Sequence, residues 1–434
     1  MSFLESCAKT HGDIFTVKFR SQAPPFIFVS KPEALQQILT SDTKELSAPG
    51  ELNKIVKALL GENSVMTISG KEHERQRQLL MPPFHGERMR SYSQIITDTT
   101  QKVIQQFPID QTFNLRSVTK DITLGVIMQA VFGLKQDQSK FELEHLLNEI
   151  LEKASGISLF AVAFIPVLEK IPRVSQMREE QVVCQQKARE LIYREIHERR
   201  ANPDPSSTDI LSLLLAATDE TGQPMTDAEL HDELLTLLFA GHETTATALA
   251  WALYWIHKIP SVREKLLAEL DNLEPNPDST TIFKLPYLNA VYCETLRIHP
   301  VAMSTFPRQV KTPISLSGYE LPVDAVLTGS IYLTHHREDI YPEPNLFRPE
   351  RFLEKQFSPY EYLPFGGGAR RCIGLAFAQL EMKLAIAQIL SNYDLELMNT
   401  KDVKPKRRGL VTGPDRPISM KIKSRRMVKS SALV

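Results

Sequence analysis

The stretch FGGGARRCIG, Phe365 to Gly374, sets one cysteine between a glycine-rich turn with two arginines and an apolar run that reads as a helix. Glycines at 366, 367 and 368 permit backbone turns that other residues resist. Such a loop brings N–H groups toward one atom, and the following helix adds its positive end. Arg370 and Arg371 add charge of the same sign. Together these features favour a thiolate over a thiol at Cys372. A disulfide, a nucleophile, a zinc ligand, a haem ligand and a merely buried cysteine all remain open at this point.

The rest of the chain narrows the choice. Cys7, Cys184, Cys293 and Cys372 are far apart and form no C-x-x-C pair. That spacing disfavours a disulfide framework or a structural zinc site, and it fits a reducing compartment. A nucleophilic cysteine would need a base, and no histidine lies near it in sequence. The glycines lack the Gly-Lys-Ser/Thr ending of a phosphate-binding P-loop.

Composition bounds the class. The 434 residues are 42% hydrophobic and 24% charged, with a net charge of −1, an ordinary balance for a globular protein and a poor one for nucleic-acid binding. Eleven Lys/Arg against two Asp follow from Lys401 onward. The run KIKSRRMVK within that stretch reads as a solvated basic end. No stretch approaches 18 consecutive apolar residues, and no signal-peptide layout opens the chain. A cytoplasmic location is the expectation.

Strand patterns open and close the chain's helical middle. DIFTVKF alternates, and PFIFVS is a short apolar run. SKPEALQQILT reads as a helix with Ser30 as N-cap. Helical spacing dominates about 70–300, ISLSGYELPVDAVLTGSIYLT returns to strand, and CIGLAFAQLEMKLAIAQIL ends in a helix. The longest helical pattern starts near Asp227 and runs about thirty residues, roughly 45 Å at helical rise. A helix that long and that apolar must cross the middle of the protein. The expected fold is mainly α with a smaller β-rich region: one domain over 1–434, β-rich near 13–30 and 308–333, helical over 70–300 and 372–391.

Phe365, Gly368, Arg370, Cys372 and Gly374 match, position by position, the F-x-x-G-x-R-x-C-x-G signature of the cytochrome P-450 monooxygenases. The family is the standard case of thiolate-ligated haem. AGHETT at 240–245, Glu294-x-x-Arg297 and PERF at 349–352 match further motifs in the family's order. The resemblance, to the bacterial soluble type, covers nearly the whole chain.

The resemblance implies the P-450 fold, with haem b between the long central helix and the Cys-bearing helix and Cys372 as the iron's ligand. Phe365 and Gly374 would border the haem, and Ala240 and Gly241 would leave room for dioxygen. Thr244 would offer a hydroxyl at the oxygen-binding face, and Glu243 would relay protons to it. His73 and Arg77, four apart on one helix face, would pair with Arg308 and Arg370 on the propionates. Glu294, Arg297 and Arg351 would form a buried structural network, and His335 and His336 would sit in a structural turn.

The wall of the substrate pocket would include Phe239, Val301, Ala302, Met303 and Val411, with the segments 50–66 and 154–166. These are mostly apolar, so a long-chain fatty acid or a terpenoid-like molecule is the expected substrate. Electrons would come from a ferredoxin or flavodoxin with its reductase, since no flavin or nicotinamide fingerprint is present. Arg370, Arg371 and Lys383 would help an acidic donor dock if exposed. The family usually has a proline-rich stretch before the first strand, whereas SFLESCAKTHGDIF reaches a strand almost at once. Membrane contact stays open, without a spanning segment. A variant that isomerises or consumes peroxides, and a non-catalytic haem sensor, are the competing readings.

Overall fold

The computed structural model describes residues 2–18, 25–41, 45–52, 54–86, 88–133, 142–143, 145–147, 149–150, 171–275, 277–408 and 411–426. The pocket segment expected at 154–166 lies outside them.

The central helix runs Asp227–Lys258, 32 residues. Thr226 starts it with a capping box: its hydroxyl accepts from the Glu229 N–H, and the Glu229 carboxylate accepts from the Thr226 N–H at 2.7 Å. Its stretch Ala246–Tyr254 is apolar but for Thr247, so neighbours can cover every side there. The helices Leu115–Phe132, Pro172–Ala201, Pro286–Ile298 and Leu375–Asn392 do so. Trp251, Leu249 and Leu253 are fully buried among them.

A five-stranded sheet stands to one side, in the order Ile14–Val17, Phe26–Val29, Val326–Gly329, Arg308–Val310, Leu46–Ser47. Only the pair Phe26–Val29 and Val326–Gly329 is parallel, with Val29 opposite Gly329. Gly329 suits that place: a Cβ there would come within 2.6 Å of the Leu35 side chain. A hairpin, Ile314–Leu316 with Tyr319–Leu321, extends this side. Leu35, Ile38, Leu46 and Leu327 form the core beneath the sheet.

The structure corrects three expectations. The helix Pro32–Thr40 is preceded by Lys31 as N-cap, with no side-chain cap. Ser30 instead turns its hydroxyl to the Asp13 carbonyl at 3.4 Å. Residues Ile331–His335, inside the expected β region, form a helix that Ser30 and Ser330 tie down through Thr334. The basic run at the end is no solvated tail where it is described. Ser419–Arg425 is the middle strand of a three-stranded sheet, between Thr112–Asn114 and Tyr393–Leu397. Lys421 and Lys423 alternate with Met420 and Ile422, both fully buried, so the charges occupy only one face.

Candidate functional site

The glycine-rich loop closes through the Cys372 N–H, which donates to the Phe365 carbonyl at 3.0 Å. Gly366 and Gly368 both take positive φ, 66° and 65°, which is why glycine stands at those two turns. The helix Leu375–Asn392 starts three residues after Cys372. Cys372 is free and solvent-accessible, although its sulfur lies deep among protein atoms. Burial pushes the thiol pKa up; the Gly374 N–H, Arg77 and Arg371 pull it down. An accessible sulfur in such surroundings faces an internal cleft. Beside it, Gly374 has nothing among the described residues within 4 Å of the place a Cβ would take.

Four basic side chains converge near the cleft. His73, on the helix Gly70–Leu80, is buried. Burial first, then the charges of Arg370, Arg77 and Arg308, lower its pKa to about 4. Arg77 is half-buried, and burial lowers its pKa, with the Cys372 sulfur favouring its charge and Arg371 opposing it. Arg308 donates to the Phe306 carbonyl at 2.7 Å and to the Gly367 carbonyl at 3.0 Å. Arg370 donates to the carbonyls of Ala48, Val65 and Ile68 and stacks over the Phe306 ring, 4.5 Å from its centroid. Both arginines thus hold the thiol loop to its neighbours while carrying positive charge into one place.

The central helix opens one face midway along its length. Leu237, Ala240 and Thr244, spaced three and four apart, keep partial exposure, as do Leu235, Phe239 and Gly241, whereas the helix is buried from Thr245 to Tyr254. The Thr244 hydroxyl donates back to the Ala240 carbonyl at 2.5 Å, the usual local bond of a mid-helix threonine. Glu243 points elsewhere: its carboxylate pairs with Arg116 and, at 3.3 Å, with Lys120, both on the helix Leu115–Phe132. His242 next to it meets Thr123 at 2.8 Å. For Gly241 the expectation is room for dioxygen. Its missing Cβ points instead at Ile127, 3.0 Å away, so its smallness admits the neighbouring helix.

Glu294, Arg297 and Arg351 meet as the resemblance implies, all within a few per cent of full burial. Arg297 grips Glu294 with two bonds, 2.6 and 2.8 Å, and Arg351 adds a third at 3.1 Å. The remaining guanidinium donors reach the carbonyls of His335, Pro342, Pro344 and Leu346. His335 accepts the Leu363 N–H at 3.0 Å, a structural place.

The cytochrome P-450 family profile matches residues 1–422. The chain belongs to the cytochrome P-450 family. It is 34% identical to "Putative cytochrome P-450 135A1" of Mycobacterium tuberculosis, over 95% of this chain and 88% of that one. It is 31% identical to cyclooctatin synthase of Streptomyces melanosporofaciens, over 96% and 90%. A retinoic-acid-bound cyanobacterial CYP120A1 superposes with a TM-score of 0.85 at 27% identity, covering 97% of this chain and 94% of that one.

As a P-450, the chain uses haem b and dioxygen. The cleft suits that group: it offers one accessible sulfur, open space at Gly374 and four basic side chains for two carboxylates. The pocket candidates divide. The Thr412 N–H donates to the Val301 carbonyl at 2.9 Å, which sets buried Val411 beside partly exposed Val301 and exposed Ala302. Met303 packs against Phe15, Val17, Tyr332 and Leu333 by the sheet.

One expected docking charge is removed. Lys383 is buried, donates to the Phe283 carbonyl at 2.8 Å and lies over the Phe283 ring. Arg371 is the exposed charge of that group. Arg116 and Lys120 escaped sequence reading. Their i, i+4 spacing marks a shared face, but Glu243 lies more than a hundred residues away.

Buried histidines set an acid limit. Burial lowers His242 and His299 to about 3, and His257 and His336 to about 4. The unfolded chain therefore takes up protons below about pH 6.5 while the fold excludes them, and stability falls as pH drops. Each such group costs about 1.4 kcal/mol per pH unit across that window. The melting temperature should be nearly level from pH 8 to 7 and fall steeply from pH 6.5 toward 4. His299, between Trp251 and Trp255, tests the cause: His299→Phe should flatten the slope by about one proton's worth, and an unchanged slope would remove His299 from it.

Proposed function

We propose that this P-450 hydroxylates an apolar small molecule, of the size of a long-chain fatty acid or a terpenoid, with electrons from a separate ferredoxin or flavodoxin and its reductase. The observation that carries the reading is the accessible face Leu237–Ala240–Thr244 midway along the central helix, together with accessible Cys372. That face and Phe239, Val301 and Ala302 are apolar but for Thr244, so burial supplies most of the binding. The retinoic acid held by the cyanobacterial relative, a long apolar polyene, supports the same substrate class.

Bound haem supplies the iron at which dioxygen is reduced and split. Cys372 would hold it from one side, with the Gly374 N–H tempering how strongly the sulfur donates. His73, Arg77, Arg308 and Arg370 would meet the propionates, since buried anions require partners. Phe365 would flank the sulfur. On the other face, Thr244 would turn its hydroxyl from the Ala240 carbonyl to hold a proton toward the reacting oxygen. Glu243 is the nearest carboxylate in sequence to resupply it, and it must first loosen from Arg116 and Lys120.

Two measurements test this. Turnover of lipids and terpenoids with ferredoxin, reductase and nicotinamide should give product carrying one atom from labelled dioxygen. Equal turnover with hydrogen peroxide alone would favour the peroxide-consuming reading. Thr244→Ala should raise the hydrogen peroxide released per nicotinamide consumed several-fold, because losing a proton-transfer group worth about 10²–10⁴-fold slows the productive step. Unchanged coupling would take Thr244 out of proton delivery.

A further inference from the structure

The segment Gly61–Ile68 bridges the two sides of the cleft. Toward the central helix, Asp232 accepts from the Asn63 backbone N–H and the Asn63 side chain, both at 2.9 Å. Glu233 accepts from the Val65 N–H at 2.6 Å. Thr236 donates to the Ser64 hydroxyl at 2.7 Å. Gly61 makes this approach feasible, because a Cβ there would fall within 2.3 Å of the Asp232 carboxylate. Toward the thiol loop, Arg370 donates to the Val65 carbonyl at 2.6 Å and to the Ile68 carbonyl at 2.6 Å. Val65 is therefore held on both sides of its Cα, its N–H by the central helix and its carbonyl by the thiol loop.

We propose that Glu233 is a positioning residue for substrate selectivity: through its bond to the Val65 N–H it fixes the wall formed by Val65 and Met66 between the central helix and the thiol loop. The claim deepens the reading of this cleft as the substrate pocket and rests on it only for what the wall selects. Val65 and Met66 keep partial exposure while Ser64 and Thr67 on either side are buried, and Val65 also packs against the main core. Glu233 is fully buried, and its second oxygen has no hydrogen-bond partner among the described residues. A buried carboxyl with one bond is expensive unless that bond matters to something nearby. Burial pushes its pKa well up, against the pull of the Val65 N–H.

The test compares Glu233→Leu with Glu233→Gln in the haem-loaded protein. Glutamine keeps the acceptor and leucine removes it. Hydrogen exchange at Asn63 to Met66 should quicken at least tenfold in Glu233→Leu and stay within about threefold of wild type in Glu233→Gln. The ratio of dissociation constants for imidazole and 4-phenylimidazole should change at least threefold in Glu233→Leu alone, because only the larger probe reaches the wall. If Glu233→Leu does not fold, Thr236→Val removes the neighbouring bond to Ser64 and should quicken the same amides about threefold. Exchange unchanged in both variants, or quickened equally along the whole central helix, would overturn the staple. Quickened exchange with an unchanged probe ratio would leave the staple standing and overturn its role in selectivity. A protein that took up no haem would fail the cleft's reading while still reporting on the exchange.

Discussion

Replacing Cys372 by serine is expected to lower hydroxylation by at least about a thousandfold, equivalent to about 4 kcal/mol of barrier. Serine keeps the loop's shape: the backbone bond from residue 372 to the Phe365 carbonyl and the positive φ of Gly366 and Gly368 do not depend on sulfur. What changes is the donor. A hydroxyl does not ionise near neutral pH and cannot give the electron density that favours O–O cleavage. Hydroxylation within tenfold of wild type would remove sulfur from the chemistry.

Glu294→Ala is the second large effect, and it acts on the fold. Two guanidiniums, Arg297 and Arg351, would then be buried without their shared carboxylate. Stranding buried charge costs about 3–5 kcal/mol, a large part of a typical margin of about 5–15 kcal/mol. Their carbonyl bonds to Pro342, Pro344 and Leu346 soften this but do not neutralise it. The segment 342–348 is tied to the helix Pro286–Ile298 partly through the Arg348 N–H on Glu294, so it should loosen as well. A urea midpoint lowered by that amount, with a fallen haem-to-protein ratio, is the expected outcome. A midpoint shifted by less than about 1 kcal/mol would show the network to be worth no more than a surface bridge.

Local chemistry made much of this visible in the sequence. Glu294 and Arg297 lie one helical turn apart, so their pairing needs no fold to be guessed, and the turns around Cys372 follow from glycine's freedom. Long-range partners were hidden. Nothing near Glu243 announces Arg116 and Lys120, and Asp232 and Glu233 look like the solvated start of a helix until Asn63 and Val65 are seen against them. Lys383 shows the same limit from the other side: its charge reads as surface, while the Phe283 carbonyl and ring satisfy it inside. The strand Ser419–Arg425 was masked by lysines on its open face, although Met420 and Ile422 carried the alternation.

Reduced protein under carbon monoxide tests the sulfur ligand most directly. A thiolate opposite carbon monoxide moves the main absorption band well to the red of the band that histidine-ligated haem gives. Wild-type protein made with ample haem supply should show the red-shifted band as its main species, and Cys372→Ser should lack it. Colourless wild-type protein, or one whose main band is of the histidine type, would contradict ligation by Cys372.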